Sequence, residues 1–339
     1  MKGWIRRGVA FAIIGTVLCL AGCGKQGSSV VVYTALDEMY SRPILDVFEN
    51  ETGIAVRASY DTEAAKTTGL VTKLIAEQRR PRADVFWNNE IAQTILLKNK
   101  GVIEPYFSPS AAAIPSEFKD PEGYWTGFAA RARVIIYNTD IVRGAPTSVR
   151  DFLKPEWSGR TAIALPLFGT TATHAAALFA LWGDEEAKQF FRDLLENDVA
   201  VLAGNATVRD MVARGEYAIG LTDTDDANGA VEDGLPARWL LPDQEEGGIG
   251  TLVIPNTVAL IKGGPNPDGG KKLIDYLLSP EVEGRLARMR SIQIPLNPAV
   301  ETPDNVPDLA KIRTIGVSFD AIAENMPDAA EFVEKEFLR

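Results

Sequence analysis

Beyond residue 23 the chain has no cysteine, because its two cysteines are Cys19 and Cys23. A disulfide, a thiolate metal centre and a cysteine nucleophile are therefore excluded from the folded body. Histidine is almost as scarce. His174 is the only one, so no zinc site can draw on two imidazoles, and a Ser/His/Asp triad would have to use that ring. No GxSxG nucleophile elbow is present either. Positive charge is in deficit, with 35 Lys and Arg against 46 Asp and Glu and a formal net charge of −11. That balance argues against a nucleic-acid partner, whose binding rests on neutralising phosphates. The apolar stretch Gly8 to Leu20 is shorter than the ~20 residues that span a bilayer.

That stretch is informative for another reason. Lys2, Arg6 and Arg7 precede it, and Leu20-Ala21-Gly22-Cys23 closes it. A charged start, a short apolar run and small residues before a cut site identify residues 1–22 as a secretory signal peptide rather than an uncleaved membrane helix. The final tetrad resembles the bacterial lipobox, in which the cysteine, here Cys23, is acylated. The following "GKQGSS" makes residues 23–29 a flexible tether between lipid and folded body. The body is then expected to be a membrane-anchored lipoprotein on the periplasmic or extracytoplasmic face. The chain's 339 residues, 46% of them hydrophobic, suit an ordinary globular protein of roughly two lobes.

Strand and helix signals alternate. Val30–Tyr33 is a β-branched run, and Met39–Phe48 has apolar residues at near-helical spacing, closed by Thr52-Gly53. A strand at Ile54–Ser59, a helix at Gly69–Gln78, the strand in "RADVFW" and a helix at Ile91–Lys98 follow. Further strands are expected at Arg133–Tyr137, Arg160–Ala164, Tyr217–Leu221 and Thr251–Ile261. Helices are expected at Thr171–Trp182, Asp184–Glu196, Val208–Arg214, Gly270–Leu278 and Pro280–Arg288, with Met326–Arg339 as a polar-amphipathic outer helix. Such alternation predicts an α/β fold with a mostly parallel sheet.

"VVVYTALDE", "ADVFWNNE", "ARARVIIYNTD", "VRDFLKPEWSGRTAIALP", "VARGEYAIGLTD", "SPEVEGRLA" and "IPLNP" occur in an order and spacing that resemble the bacterial extracellular solute-binding proteins of ABC importers. Within these, the resemblance is to the ferric-iron-binding group. It covers nearly the whole chain after the signal peptide. It implies a two-lobed type II periplasmic-binding-protein fold with an interlobe ligand cleft, lobe 1 at residues 30–130 and 255–298 and lobe 2 at 131–254 and 299–339. It also implies an ABC permease and its ATPase as partners. No catalytic cofactor is expected, only a cargo of Fe(III) with a phosphate-like or carbonate-like anion.

Residue by residue, the family's histidine ligand falls on Asp37, its glutamate ligand on Asn89 with Glu90 beside it, and its tyrosine pair on Asp225 and Asp226. Each familiar ligand is replaced. Carboxylates are hard donors that suit Fe(III), Ca²⁺, Mg²⁺ or Mn²⁺, and they equally suit an ammonium group. "DTDD" at 223–226 also reads as a solvated acidic turn. An EF-hand is excluded, since the sixth and twelfth positions from Asp223 are Asn228 and Gly234. The resemblance places the anion at Gly169, Thr170 and Thr171, with Asn205 and Arg131. Those three residues open a helix, where free N–H groups attract anions, although ordinary N-capping by threonine is an equally simple reading. Arg133 lies on the same strand face as Arg131. His174 reads as a packed helix residue, Trp87 and Tyr33 as wall or core, and Arg209 as a partner of Asp210 or of the anion.

The same fold with another ligand is the nearest alternative: an aminoalkylphosphonate spanning the anion loop and the acids, or a polyamine or thiamine-like cation on the acids alone. A membrane-tethered metal-dependent hydrolase or a ligand sensor stands further off.

Overall fold

A computed structural model of the chain describes residues 29–61 and 68–338. The expected signal peptide, Cys23 and nearly all of the expected tether lie outside the described residues. Among the described residues, no helix is long and apolar enough to cross a membrane.

The first lobe is built from β1 (Ser29–Thr34), α1 (Glu38–Thr52), β2 (Ala55–Tyr60), α2 (Thr68–Glu77), β3 (Val85–Asn88) and α3 (Ile91–Asn99). β1 lies between β2 and β3 and is parallel to both. α1 buries Ile44, Leu45 and Phe48 against this sheet. It stops where Gly53 turns left-handed at φ 68° and donates its N–H to Glu49 O at 2.9 Å, a conformation that costs glycine nothing.

The chain then crosses to the second lobe on one long strand, β5 (Thr126–Asn138). Its first part, 126–132, runs antiparallel to β10 (Val253–Ile261), the strand that returns to the first lobe beside β3 and β4 (Ile103–Glu104). Its second part, 133–138, runs antiparallel to β8 (Ile219–Asp223) and β9 (Ala237–Leu240). β6 (Thr161–Ala164) completes the second sheet, parallel to β8 and to β7 (Ala200–Leu202). Only Arg133–Tyr137 of β5 was expected from the sequence. The earlier part, "TGFAARA", is buried on both faces, so it lacks the alternation that marks a half-buried strand.

The crossing has a defect with a purpose. The β5–β10 register shifts between Pro255 and Asn256, and opposite that shift Ala129 is buried at φ 43°. This is a bulge, and Glu283 secures it. The buried Glu283 carboxylate accepts the N–H groups of Ala129 (2.7 Å), Leu296 (2.9 Å) and Asn297 (2.8 Å). Burial pushes its carboxyl up, and the three N–H groups pull the other way.

The second lobe carries α4 (Gly169–Trp182), α5 (Asp184–Glu196), α6 (Asn205–Ala213) and α7 (Thr224–Glu232). α8 (Pro267–Leu277) and α9 (Pro280–Arg288) return to the first. The last helix, α10 (Phe319–Phe337), starts ahead of the expected Met326 and is not merely peripheral. It packs on both α4 and α3, with Phe332 and Val333 buried and the Phe332 ring 5.9 Å from Phe179.

Gly220 on β8 marks where α6 meets the sheet most closely. A Cβ there would lie 2.5 Å from Val208 Cγ1 and 3.0 Å from Val212 Cγ2. Gly220→Ala is therefore expected to destabilise the protein by about 1–3 kcal/mol through overpacking, read as a lower thermal midpoint; an unchanged midpoint would mean that α6 is free to move off the sheet.

Candidate functional site

β6, β7 and β8 are parallel, so their carboxyl ends share one edge, and α4, α6 and α7 all start there. None of the three has a side-chain cap: the N-cap residues Phe168, Gly204 and Asp223 make no capping bond. First-turn N–H groups of an uncapped helix are open donors at the positive end of its dipole. All three first turns line one cleft of about 570 Å³, whose facing wall is Asp37, Met39 and Tyr40 from the start of α1, with Asn89 after β3 and Arg290 after α9. Met39 and Phe168 stand exposed at its two lips.

Beneath the cleft lies a polar knot. Arg133 and Asp223 are opposed on β5 and β8, both buried, with Arg133 Nη1 donating to Asp223 Oδ1 at 2.6 Å. Asp223 Oδ2 accepts the Thr170 hydroxyl at 2.6 Å and Asn205 Nδ2 at 3.0 Å. Arg133 Nη1 also donates to Thr170 Oγ1 and Asn205 Oδ1. Burial alone would raise the Asp223 carboxyl; Arg133 and Arg131 outweigh it and hold it below the usual range.

Arg131, one strand-face step away, reaches Asp225 at 3.2 Å, Asp223 at 3.5 Å and the Asn89 carbonyl at 2.7 Å. Burial opposes its charge, but Asp225 and Asp223 more than compensate and raise its pKa. Asp226 sits 4.0 Å from Arg209, which also bonds Asp210 at 2.8 Å. Asp223, Asp225 and Asp226 can bring one oxygen each to within 4.8 Å of one another, a spacing that fits a metal ion. Tyr40 on the opposite wall is half-buried; burial, then the charges of Asp225 and Asp37, raise its phenol.

The lining therefore sets four carboxylates (Asp37, Asp223, Asp225, Asp226) against three guanidiniums (Arg131, Arg209, Arg290), with Arg133 just behind. It is close to neutral rather than an acidic hole. A cation gains these acids only by competing with Arg131, or by arriving with an anion that keeps the balance.

Asp37, Asn89, Asp225, Asp226, Gly169, Thr170, Thr171, Asn205 and Arg131 all line this one cleft. Glu90 does not. It is buried as the N-cap of α3, accepting the N–H groups of Ala92 and Gln93 and the Thr173 hydroxyl at 2.8 Å. Successive residues leaving a strand point opposite ways, which puts Asn89 on the cleft and turns Glu90 inward. The acids at 225 and 226 are not a solvated turn but the first turn of α7, where they complement the helix dipole. The threonines of α4 bind Asp223 and Asn205 rather than capping their own helix. Trp87 is core, its ring tilted against Phe128 at 5.6 Å between centroids, and Tyr33 donates to Glu77 away from the cleft. Sequence reasoning missed Tyr40 and Arg290 as lining, and Asp223 as the anchor of the floor; the Arg133/Asp223 pairing has no short-range signal, since its partners are far apart in the chain.

Residues 84–325 match the family of bacterial extracellular solute-binding proteins. Iron uptake protein A1 of Synechocystis sp. is 24% identical over 97% of this chain and 95% of its own length. A putative 2-aminoethylphosphonate-binding periplasmic protein of Salmonella typhi is 25% identical over 81% of each. The solved structure of a ferric binding protein from Campylobacter jejuni superposes with a TM-score of 0.81 at 25% identity, over 90% of this chain and 98% of that one.

His174, packed in α4 behind the knot, gives a pH test. Burial, then the Arg133 charge, lower its pKa to about 3, with Asp223 partly opposing. The folded protein keeps this ring neutral while the unfolded chain protonates it near pH ~6.5. Its contribution is thus complete above that pH and is lost as pH falls towards 3, at roughly 1.4 kcal/mol per pH unit. His174→Gln should flatten the stability–pH curve between about 6 and 4 in chemical denaturation; an unaltered slope would show that the ring is accessible and charged.

Proposed function

The chain belongs to the bacterial extracellular solute-binding proteins, and from that premise we propose that it is the lipid-anchored substrate-binding component of an ABC importer, capturing Fe(III) or another hard cation with a synergistic anion. The observation that carries this reading is the pairing, in one cleft, of a metal-spaced carboxylate cluster with three uncapped helix starts. Asp225 and Asp226, which share that metal-compatible spacing with the Arg133-bound Asp223, take the cation, and Asp37 and Asn89 of the same cleft complete its oxygen set. Gly169, Thr170, Thr171, Asn205 and Arg131 take a phosphate-like or carbonate-like anion. The names of the Synechocystis and Campylobacter relatives support iron as cargo.

The mechanism needs no covalent chemistry. Ligand contacts from both lobes stabilise the closed arrangement and raise its population, and the closed protein delivers its cargo to a permease driven by an ATPase. Anchoring through Cys23 keeps it at the membrane. A second reading has a specific observation behind it: the near-neutral lining suits a zwitterion. An aminoalkylphosphonate would set its phosphonate on the helix starts and its ammonium on the acids, as the name of the Salmonella relative suggests.

Thermal-shift measurements separate the two, because a ligand bound only by the folded state raises the melting temperature. On the first reading Fe(III) gives a shift that grows with added phosphate or citrate, and Asp226→Ala, which removes one acid of the metal-spaced cluster, loses most of it. A shift with 2-aminoethylphosphonate and none with Fe(III) would transfer the assignment to the zwitterion. For the anchor, Cys23→Ala should move the protein from the membrane fraction to the soluble extracytoplasmic fraction; retention on membranes would refute acylation at Cys23.

A further inference from the structure

Carboxylates alone do not single out a trivalent ion. Asp37, Asp225 and Asp226 would serve Ca²⁺, Mg²⁺ or Mn²⁺ as readily. A phenolate is a more basic hard oxygen donor and favours Fe(III), yet the acid pair on α7 puts none at positions 225 and 226. Among the described residues lining the cleft there is a single tyrosine, Tyr40, and it stands on the other wall.

Its setting is that of a held donor. Tyr40 lies in the first turn of α1, three residues after the N-cap Asp37, and its backbone N–H bonds the Asp37 carbonyl at 2.9 Å. That bond fixes the two side chains of the first lobe relative to each other. The Tyr40 ring is partly buried against the first core cluster, so little rotamer freedom remains to be lost when its oxygen is engaged. Asp225 and Asp226 approach from the first turn of α7 in the second lobe.

We propose that Tyr40 is the phenolate ligand of the ferric cargo, completing with Asp37 on one wall and Asp225 and Asp226 on the other an all-oxygen set drawn from both lobes. The inference rests on the ferric reading of the cleft. The phenol proton passes to water as the metal takes its place, as for any acidic ligand group. Tyr40 then decides the preference for Fe(III) over divalent ions, while the acids supply most of the charge. Because the donors come from both lobes, iron itself draws the cleft shut.

The test uses the full folded chain loaded with Fe(III) and phosphate. Wild-type protein should show a visible phenolate-to-iron charge-transfer band. Tyr40→Phe should lose the band and still take up iron, with affinity down by at least the roughly 10–100-fold that follows loss of an outer-shell partner. Tyr40→Glu, which restores an anionic oxygen, should bind iron without colour, and both variants should keep the ligand-free melting temperature. Iron bound by wild-type protein without a visible band overturns the inference and leaves the ferric reading intact, as does a band that persists in Tyr40→Phe. No thermal shift with Fe(III) refutes the ferric cargo itself, and the role of Tyr40 falls with it.

Discussion

Arg133 and Asp223 face each other across β5 and β8 with no access to solvent, and the cleft is assembled around their contact. Stranding one member of a buried ion pair costs about 3–5 kcal/mol, a large part of the ~5–15 kcal/mol that a folded domain has in total. If Asp223 turns away, Arg133 loses its carboxylate, and if Arg133 turns away, Asp223 is left with Arg131 at 3.5 Å. Through Thr170 and Asn205 the same pair grips the first turns of α4 and α6, and through Asp223 it sets where α7 begins. Three helix starts are thus aimed at one point by a single charge interaction. The Arg133 charge also reaches His174 and, with burial, keeps its ring neutral, while Asp223 partly opposes it.

Much of this architecture can be read from the sequence, and the failures have local causes. α5 and α9 run as expected because their ends are chemically marked: Asp184, Glu185 and Glu186 open one, and Ser279 with Pro280 opens the other, the serine accepting the Val282 N–H. α7 has no such signal. "TDDANGAVE" contains poor helix formers, and the helix is held by burial of Ala227 and Ala230 rather than by propensity. The family register brought nine of the ten proposed ligand-site residues to one cleft; Glu90 was the exception, because adjacent residues at a strand end look alike until the faces are known. From the sequence, Arg133 could be placed only on the strand face of Arg131. Only its position opposite Asp223 shows it to be part of the floor.

Asp225 and Asp226 set the electrostatics of the cleft in a way that phenols in their place would not. Phenols are neutral until a metal displaces their protons, whereas aspartates are charged beforehand and require a countercharge. Arg131 meets that need, bridging Asp225, Asp223 and the Asn89 carbonyl. A guanidinium is thus built into the place where a cation would otherwise be drawn indiscriminately. Any cation entering the cleft has to compete with that internal arrangement.

The two crossing strands also set how the lobes move. β5 and β10 are paired at 126–128 and again at 130–132, and the bulge between is fastened at Ala129 by Glu283 and by the Asn256 side chain, which donates to the Ala129 carbonyl. Sliding one strand past the other would break those bonds together, so the ribbon behaves as a torsion bar: it twists about its length and does not shear. Displacement then grows with distance from the bar. For any rotation about it, Arg131 and Asn89, joined close to it at 2.7 Å, would separate least, and the exposed Met39 and Phe168 most. The protein in effect carries a short fixed jaw and a long free one, so the cargo is gripped first at the pivot and sealed from solvent last at the rim.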